Sequence, residues 1–315
     1  MSLGSRIEIL KDRSKMLAAS REYFAKKNIL EVDCPALGVH APIDRHIDVM
    51  AVTLPSGEKR YLHTSPEYRM KRLLSEGFPS MYQISHVYRQ SEVGHLHNPE
   101  FSMVEWYEVG ISFDGLIEST LSYIRLFLGE VPSSIISYRD LWEKTFSIDY
   151  VTASCSDLAS LCEEKGLTHP EMKSWDKDTL LQFAMSFLIE PHIGLSELFV
   201  IKDYPGSQAA LARSEQREDE KIAKRFEVYF QGIELANGYH ELNDGNEQGR
   251  RLLEENTARV NLGKDSLPVD SFFLNAIEKG IGDCCGVAVG FDRLMLLRHK
   301  KDSIHHVIPF SWDHS

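Results

Sequence analysis

Charged and aromatic side chains alternate along two segments that otherwise have the pattern of β-strands. Arg89 ends the first strand, and Phe101, Glu105 and Tyr107 alternate along the strand that returns after a polar loop. Alternate residues of a strand share a face, so one face would carry an aromatic ring, a carboxylate and a phenol. An arginine opposite can hold a phosphate through forked hydrogen bonds. The alternative is a surface hairpin with cross-strand ion pairs, which three such residues at alternate positions make less favourable.

A second segment carries two carboxylates, Glu234 and Glu241, on either side of the dipeptide Asn237-Gly238. Asn-Gly favours a turn. A turn there would bring both carboxylates onto one Mg²⁺, an ion that takes oxygen ligands and shares phosphate oxygens with them. From the spacing alone, the alternative of two solvated acids near a turn is the stronger one.

A strand of small residues, Gly286–Gly290, runs into a predicted helix with Asp292 as its cap and Arg293 in its first turn. A cation near a helix N-terminus opposes the helix dipole, and a bound anion would explain it. The glycines lack the spacing of the dinucleotide-binding and P-loop fingerprints, so they are weak indicators by themselves.

The segment His63–Tyr68 predicts a helix start, with Ser65 as the N-cap, Pro66 in the first turn and Glu67 near the positive end of the dipole. The Glu67 carboxylate could recognise an ammonium group. A capped helix start accounts for the segment equally well.

These segments need strands and helices to position them. Apolar residues at seven-residue spacing predict an amphipathic helix over about residues 6–27. Strands outnumber a regular β-α-β alternation and hairpins recur, which favours an α+β fold with an antiparallel sheet flanked by helices. We expect one catalytic domain over residues 1–315, with a mainly helical insertion at about 113–195. The other predicted strands are 29–32, 60–63, 81–89, 101–109, 199–203, 226–229, 233–237 and 286–290, and the other predicted helices are 65–75, 113–128, 247–262 and 292–298.

The composition excludes several classes of protein. The chain has 315 residues, 43% hydrophobic and 26% charged, which is unlike a disordered chain, a collagen or a disulfide scaffold. Its net charge of −12 weighs against broad nonspecific binding to nucleic acid. No apolar run reaches the roughly 18 residues of a membrane span, and no signal peptide is expected. The five cysteines include no C-x-x-C pair, so we expect reduced thiols and a cytoplasmic location.

Taken together and in this order, the segments resemble the catalytic domain of class II aminoacyl-tRNA synthetases of the lysine type. The first helix and Pro35 are similar to motif 1, Arg89–Tyr107 to motif 2 and Gly286–Arg293 to motif 3. The likeness covers nearly the whole chain. The segments most similar to lysyl-tRNA synthetases are TSPEYRMKRLL (64–74), HNPEFSMVEWY (97–107) and GIELANGYHEL (232–242).

Motif 1 begins within the first ten residues, so we expect no N-terminal OB-fold for anticodon binding and no stable tRNA binding. With Glu105–Tyr107 and Ala288, this resembles the paralogues that join (R)-β-lysine, or lysine less well, to a lysine side chain of elongation factor P. One methyl group at Ala288 would change which amino-acid shape fits the pocket. A motif 1 likeness also implies a homodimer.

The resemblance implies ATP-dependent formation of an aminoacyl-adenylate, followed by its transfer. Arg89 would stabilise the α-phosphate, and Arg293 would cover the adenine or reach the γ-phosphate. Glu67 would bind the backbone-type amine, and Glu105 with Tyr107 the distal ammonium. The implied ATP-binding residues are Arg89, Gln90, Ser91, Asn98, Phe101, Glu234, Leu235, Gly290 and Arg293. The implied substrate-binding residues are Ser65, Pro66, Glu67, Glu105, Tyr107 and Glu241, and the implied Mg²⁺ ligands are Glu234 and Glu241.

One position departs from the family pattern. Motif 2 usually reads R-x-E, whereas this chain has Arg89, Gln90 and Ser91, with Glu92 one place later. A serine cannot match a carboxylate's contact with the adenine amino group, so a backbone group, a water or Glu92 would have to replace it. Two alternatives therefore stay open: a lysyl-tRNA synthetase that charges tRNA, and a non-catalytic paralogue, for which Ser91 is the sole support.

Overall fold

The structure, a computed structural model, describes residues 3–315, without the side chains of residues 3 and 4. Contacts between residues divide the chain into two compact units. The first unit comprises Met1–Gly129 and Leu242–Ser315, and the second comprises Glu130–Glu241. A single catalytic domain with an insertion at about 113–195 stays a prediction.

Helices and strands alternate irregularly along the chain, as expected for the predicted α+β class. In the described residues the helices are α1 (Leu3–Lys26), α2 (Glu67–Ser75), α3 (Phe113–Leu128), α4 (Tyr138–Phe146), α5 (Cys155–Glu164), α6 (Lys177–Ala184), α7 (Gly245–Asn261), α8 (Ser271–Lys279) and α9 (Phe291–Arg298). The strands are β1 (Leu30–Glu31), β2 (Leu37–Gly38), β3 (Ala51–Thr53), β4 (Lys59–Leu62), β5 (Met81–Tyr88), β6 (Glu100–Val109), β7 (Ser133–Ser137), β8 (Leu198–Pro205), β9 (Ser214–Arg217), β10 (Glu220–Phe230), β11 (Ile233–His240) and β12 (Cys284–Gly290). None of the helices described here is long and apolar enough to cross a membrane.

The first unit is built on strands in the order β1-β5-β6-β12, with a small sheet β2-β4-β3 beside them. β5 and β6 form the predicted antiparallel hairpin, in register from Met81↔Tyr107 to Tyr88↔Glu100. β12 is antiparallel to β6, whereas β1 is parallel to β5. The sheet is therefore mixed rather than purely antiparallel.

An aromatic core covers one face of the β5–β6 hairpin. Phe24, the last of the apolar residues at seven-residue spacing in α1, is fully buried and stacks on Tyr82 at 4.1 Å between ring centroids. Trp106 and Tyr123 pack around the same ring. Truncating one such aromatic side chain typically costs about 3–5 kcal/mol, so this core fixes the hairpin whose opposite face carries the candidate site.

The strands of the second unit follow the order β11-β10-β8-β7, with β9 paired to β10. Helices α4, α5 and α6 contribute to a separate apolar core that includes Tyr138, Trp142 and Leu180. The sequence predicted β10 only over residues 226–229. In its first half, two pairs of charged residues, Glu220-Lys221 and Lys224-Arg225, flank the buried Ile222 and Ala223, and this departure from strand alternation hid the strand.

The structure corrects the predicted turn at Asn237-Gly238 and the predicted helix cap at Asp292. Asn237-Gly238 does not form a turn, because it lies inside β11 and pairs with Glu227 and Phe226. The chain reverses instead at Gln231-Gly232, where both residues have positive φ angles of 52° and 72°. Asp292 does not cap α9: Gly290 occupies that position, and the cap has no side-chain hydrogen bond.

Candidate active site

The predicted polar face exists in the first unit. Phe101, Met103, Glu105 and Tyr107 lie on one face of β6, which we call the Glu105 face. Directly opposite on β5 are Val87, Ser85, Gln83 and Met81, and opposite on β12 are Gly290, Ala288 and Gly286. Because these β12 residues have little or no side chain, a flat ligand can approach the backbone closely on this side of the face.

Arg89 lies at one end of this face. Its guanidinium carbon lies 5.1 Å from the centroid of the Phe101 ring, and its Nη1 donates to Glu92 at 3.2 Å. Among the described residues its buried Nε has no hydrogen-bond partner. A buried donor left unpaired costs free energy, and a phosphate oxygen would satisfy this one. Arg89 and Phe101 are thus brought together as predicted.

The two residues after Arg89 are held by the protein. The Ser91 hydroxyl donates to Asp48 at 3.0 Å, and the Gln90 amide donates to the Asp48 backbone carbonyl at 2.9 Å. Both side chains are exposed. Ser91 therefore anchors the loop, and Glu92, which could replace the missing carboxylate, is engaged with Arg89.

Asn98 and Arg293 also have protein partners. The buried Asn98 side chain donates to the Glu100 carbonyl at 2.6 Å and accepts from the Trp312 amide at 2.9 Å. Arg293 Nη2 lies 2.8 Å from His97 Nε2. Since a guanidinium can only donate, His97 accepts and is neutral. Burial, followed by the Arg293 charge, lowers the pKa of His97 in agreement.

Glu105 is the buried carboxylate of the site, only 3% exposed. It accepts from the Ser65 hydroxyl at 2.6 Å and from the Tyr107 hydroxyl at 2.7 Å. Burial, followed by the charge of Glu67, raises the pKa of Glu105 to about 7, against the two hydroxyl donors and Lys71. A carboxylate in this setting gains its charge readily when an ammonium ion arrives.

Helix α2 places Glu67 beside this carboxylate. Tyr68 stacks on Phe273 of α8 at 4.0 Å, which fixes the helix start. The prediction of Ser65 as the N-cap is wrong by one residue, because Pro66 occupies that position. The Ser65 hydroxyl still accepts from the Glu67 amide at 3.0 Å. Ser65, Pro66, Glu67, Glu105 and Tyr107 are therefore brought together in the first unit.

Sequence reasoning missed Lys71, which is completely buried and donates to Glu67 at 2.6 Å. Buried charges need partners, and this cation offsets one of two acids in the amine-binding region. A signal was present, because Glu67 and Lys71 are spaced i, i+4 on a helix with an apolar face.

Asp292 acts as a bridge rather than as a helix cap. Its carboxylate accepts from the Ser102 amide at 2.7 Å and pairs with Arg13 of α1. Arg13 also donates to the Ser102 hydroxyl at 2.7 Å and lies 4.9 Å from the centroid of the Phe291 ring. This buried network joins α1, β6 and α9 next to Phe101 and Arg293.

In the second unit Glu234 and Glu241 share one face, although they are seven residues apart. The pairing changes from Val228↔Ala236 to Tyr229↔Glu234, so Leu235 is an extra residue in β11. This bulge restores the phase between the two acids. Leu235 and Glu241 are buried, and Glu234 is half-buried. The four paired residues Ala236 to Tyr239 and then His240 lie between the acids, so the acids lie at opposite ends of β11 rather than on either side of a turn.

Within the described part of the chain, no cluster of three or more His, Cys, Asp or Glu side chains could hold a metal ion. The donor chemistry does suit Mg²⁺, which binds through one or two carboxylates together with substrate phosphates and water. Glu234 and Glu241 are carboxylates of this kind, at separate ends of one strand face.

A buried polar network lies between those two acids on β10 and β11. Glu227 accepts from the hydroxyls of Tyr204 and Tyr229 at 2.6 and 2.5 Å and pairs with Arg225. Arg225 also donates to Asn237 at 3.3 Å. The network was not predicted, although charged residues alternating within an apolar strand signal it.

Comparison with known proteins places the chain in a family. Residues 4–314 match the family described as tRNA synthetases class II (D, K and N). The chain belongs to this family. It is 37% identical over 309 residues to a Pasteurella multocida protein named elongation factor P–(R)-β-lysine ligase, covering 96% of this chain and 95% of that one. Proteins of the same name from Vibrio parahaemolyticus and Buchnera aphidicola are 37% and 38% identical, covering 96% and 98% of this chain and 95% and 96% of theirs.

Proposed function

We propose that this protein is an ATP-dependent ligase that activates (R)-β-lysine or lysine as an aminoacyl-adenylate and transfers it to a lysine side chain of elongation factor P. The relatives' names give the substrate and the acceptor. The observation that carries the proposal is one face with Arg89 and Phe101 at one end and the buried Glu105, held by two hydroxyls, at the other.

In the first half-reaction an oxygen of the amino-acid carboxylate attacks the α-phosphorus of ATP. The bond from that phosphorus to the bridging oxygen breaks, and pyrophosphate leaves with the electron pair. Arg89 stabilises the charge that grows on the α-phosphate oxygens. Phe101 stacks on the adenine, and Arg293 neutralises further phosphate charge. No proton has to move in this step.

The substrate's amines select it. Glu105 and Tyr107 bind the distal ammonium, and Glu67, oriented by Lys71, binds the other amine. In the second half-reaction the neutral amine of the acceptor lysine attacks the adenylate carbonyl carbon. An amide forms, AMP leaves and the amine loses one proton. The adenylate supplies the driving force, so the protein acts chiefly by positioning the two groups.

Glu234 and Glu241 are the proposed Mg²⁺ ligands, and Gln90, Ser91, Asn98, Leu235 and Gly290 are the proposed remainder of the nucleotide site. The donor chemistry supports the first assignment. When bound with ATP, Mg²⁺ would neutralise phosphate charge.

A homodimer and a cytoplasmic location complete the proposal. The chain following α1 exposes Leu30, Leu37 and Val39 by 49%, 41% and 49%, which suits an interface. The cysteines form no disulfide among the described residues, in keeping with a reducing compartment.

The family match also supports a second candidate, a synthetase that charges tRNA. Amino-acid-dependent pyrophosphate exchange tests the shared first step. We expect exchange with (R)-β-lysine or lysine and none with leucine, which lacks the second ammonium. A chain that shows no exchange with either lysine isomer would instead be a non-catalytic paralogue.

A further inference from the structure

One hydroxyl lies between the two ends of the Glu105 face and takes no part in the mechanism proposed above. Ser85 lies on β5 opposite Met103, between the pairs Gln83↔Glu105 and Val87↔Phe101. Each neighbouring pair on the same face is two residues away, about 7 Å along the strand. Ser85 therefore lies midway between the ammonium-binding carboxylate and the adenine-stacking ring.

The Ser85 hydroxyl is buried and has no hydrogen-bond partner among the residues that the structure describes. Buried hydroxyls in folded proteins nearly always have a partner, and an unpaired one costs free energy. Its neighbours on the same face do have partners: Glu105 accepts from two hydroxyls, and Gln83 bonds to the Cys34 backbone. Among the polar side chains that β5 and β6 place on this face, the Ser85 hydroxyl is the one without a partner in the described part of the chain.

The same row of the sheet reaches a second functional group. Met103 pairs with Gly290 on its other side, and a β-carbon added at Gly290 would lie 3.5 Å from Arg293 Cδ. The paired residues Ser85, Met103 and Gly290 therefore cross three strands, from the Ser85 hydroxyl to the aliphatic part of the Arg293 side chain. A substrate held at Glu105 by its distal ammonium and extended along the face brings its carboxylate to this row, where it meets the phosphate bound by Arg89.

We propose that Ser85 is a further substrate-binding residue, whose hydroxyl donates a hydrogen bond to the reacting carboxylate of the amino acid. The inference rests on the proposed function and extends it. The bond holds the carboxylate in line with the α-phosphorus. The carboxylate oxygen forms the new bond to phosphorus, pyrophosphate takes the electron pair, and the serine keeps its proton.

The test is Ser85→Ala, studied by pyrophosphate exchange and thermal unfolding together. A hydrogen bond to a charged group is lost, so kcat/KM for the amino acid should fall about tenfold or more. The KM for ATP should stay unchanged. Because the hydroxyl has no partner in the protein, the unfolding temperature should be unchanged or higher. His86→Gln is the matched control: its side chain is 63% exposed on the opposite face, and we expect wild-type kinetics.

Wild-type kcat/KM in Ser85→Ala would overturn the inference and leave the proposed function standing. A parallel loss of activity and unfolding temperature would overturn it too, because the hydroxyl would then be structural. An increase in the KM for ATP alone would assign the group to the nucleotide instead. A wild-type protein without exchange would contradict the proposed function itself.

Discussion

At the residue scale, the guanidinium of Arg89 is poised to receive a charge. It contacts one aromatic ring and one carboxylate, and both Arg89 and Glu92 are partly exposed, at 23% and 29% of their side chains. An exposed pair of this kind contributes at most about 1 kcal/mol to stability. A substitution of Arg89 should therefore change the rate of the reaction while leaving the stability of the protein nearly unchanged.

We expect Arg89→Met to reduce kcat for pyrophosphate exchange by on the order of 100-fold or more, because a preorganised donor to the developing charge is lost. Chemical denaturation should show little change in the free energy of unfolding. Arg60→Met, which removes an arginine–carboxylate pair with Glu58 that is not among the proposed site residues, serves as the control. Near-normal exchange in Arg89→Met would remove the arginine from the mechanism.

Glu105 should make substrate binding depend on pH near neutrality. Its pKa of about 7 means that the carboxyl is neutral below that pH and ionised above it. The KM for the amino acid should therefore fall as the pH rises through about 7. Tyr107→Phe removes a donor that lowers this pKa, so it should move the midpoint to higher pH. If the KM of the wild-type enzyme for the amino acid does not change over this pH range, Glu105 does not bind the ammonium group.

The raised pKa of Glu105 should also make the stability of the protein without substrate fall as the pH rises. The pKa is raised in the folded state from the ordinary value of 4.5 to about 7, so between these two pH values the folded protein binds more protons than the unfolded chain. This group's stabilisation is present below its unfolded pKa and is lost as the pH rises through about 7. Glu105→Gln should remove this loss in the protein without substrate, as measured by denaturation at several pH values.

At the element scale, the buried network of Arg13, Asp292 and Ser102 joins a helix, a strand and a second helix. We expect Asp292→Asn to cost about 3–5 kcal/mol of unfolding free energy, because Arg13 is left as an uncompensated buried charge. The double variant Arg13→Met/Asp292→Leu should recover much of that loss. Arg21→Met on the same helix, whose pair with Glu31 is exposed, should cost at most about 1 kcal/mol. A small effect of Asp292→Asn would show that the network does not hold these elements.

Strands with regular alternation could be predicted from the sequence, whereas turns and bulges that depend on strand pairing could not. The β5–β6 hairpin and the positions of Phe101, Glu105 and Tyr107 followed from alternation alone. The turn predicted at Asn237-Gly238 is wrong, because pairing with β10 overrides the local preference of this dipeptide for a turn. The phase of Glu234 and Glu241 depends on the bulge at Leu235, which arises from that pairing and has no local signature.

Contacts between residues that are far apart in the sequence could not be predicted either. Asp292 lies two residues after a glycine at a helix start and has the pattern of a cap, yet its carboxylate bonds to groups 190 and 279 residues away. The resemblance to a family supplied roles for residues but not these partners. Ser91 shows the converse: its departure from the motif is visible in sequence, whereas its anchoring to Asp48 is visible only in the structure.

At the scale of the whole molecule, we expect a dimer. Exposed apolar side chains of the segment after α1 would be covered in it. Sedimentation equilibrium at micromolar concentration should give twice the mass of one chain, and Leu37→Lys/Val39→Lys should shift the protein toward monomer. A wild-type monomer under these conditions contradicts the homodimer.

The identity of the acceptor is tested most directly by a transfer assay read by intact-protein mass spectrometry. The protein, ATP and Mg²⁺ are incubated with lysine or (R)-β-lysine and elongation factor P, and with bulk tRNA in parallel. We predict a mass gain of one lysyl residue on the factor, no charged tRNA, and much slower modification of the factor by Arg89→Met than by the wild-type protein. Charged tRNA beside an unmodified factor would contradict it.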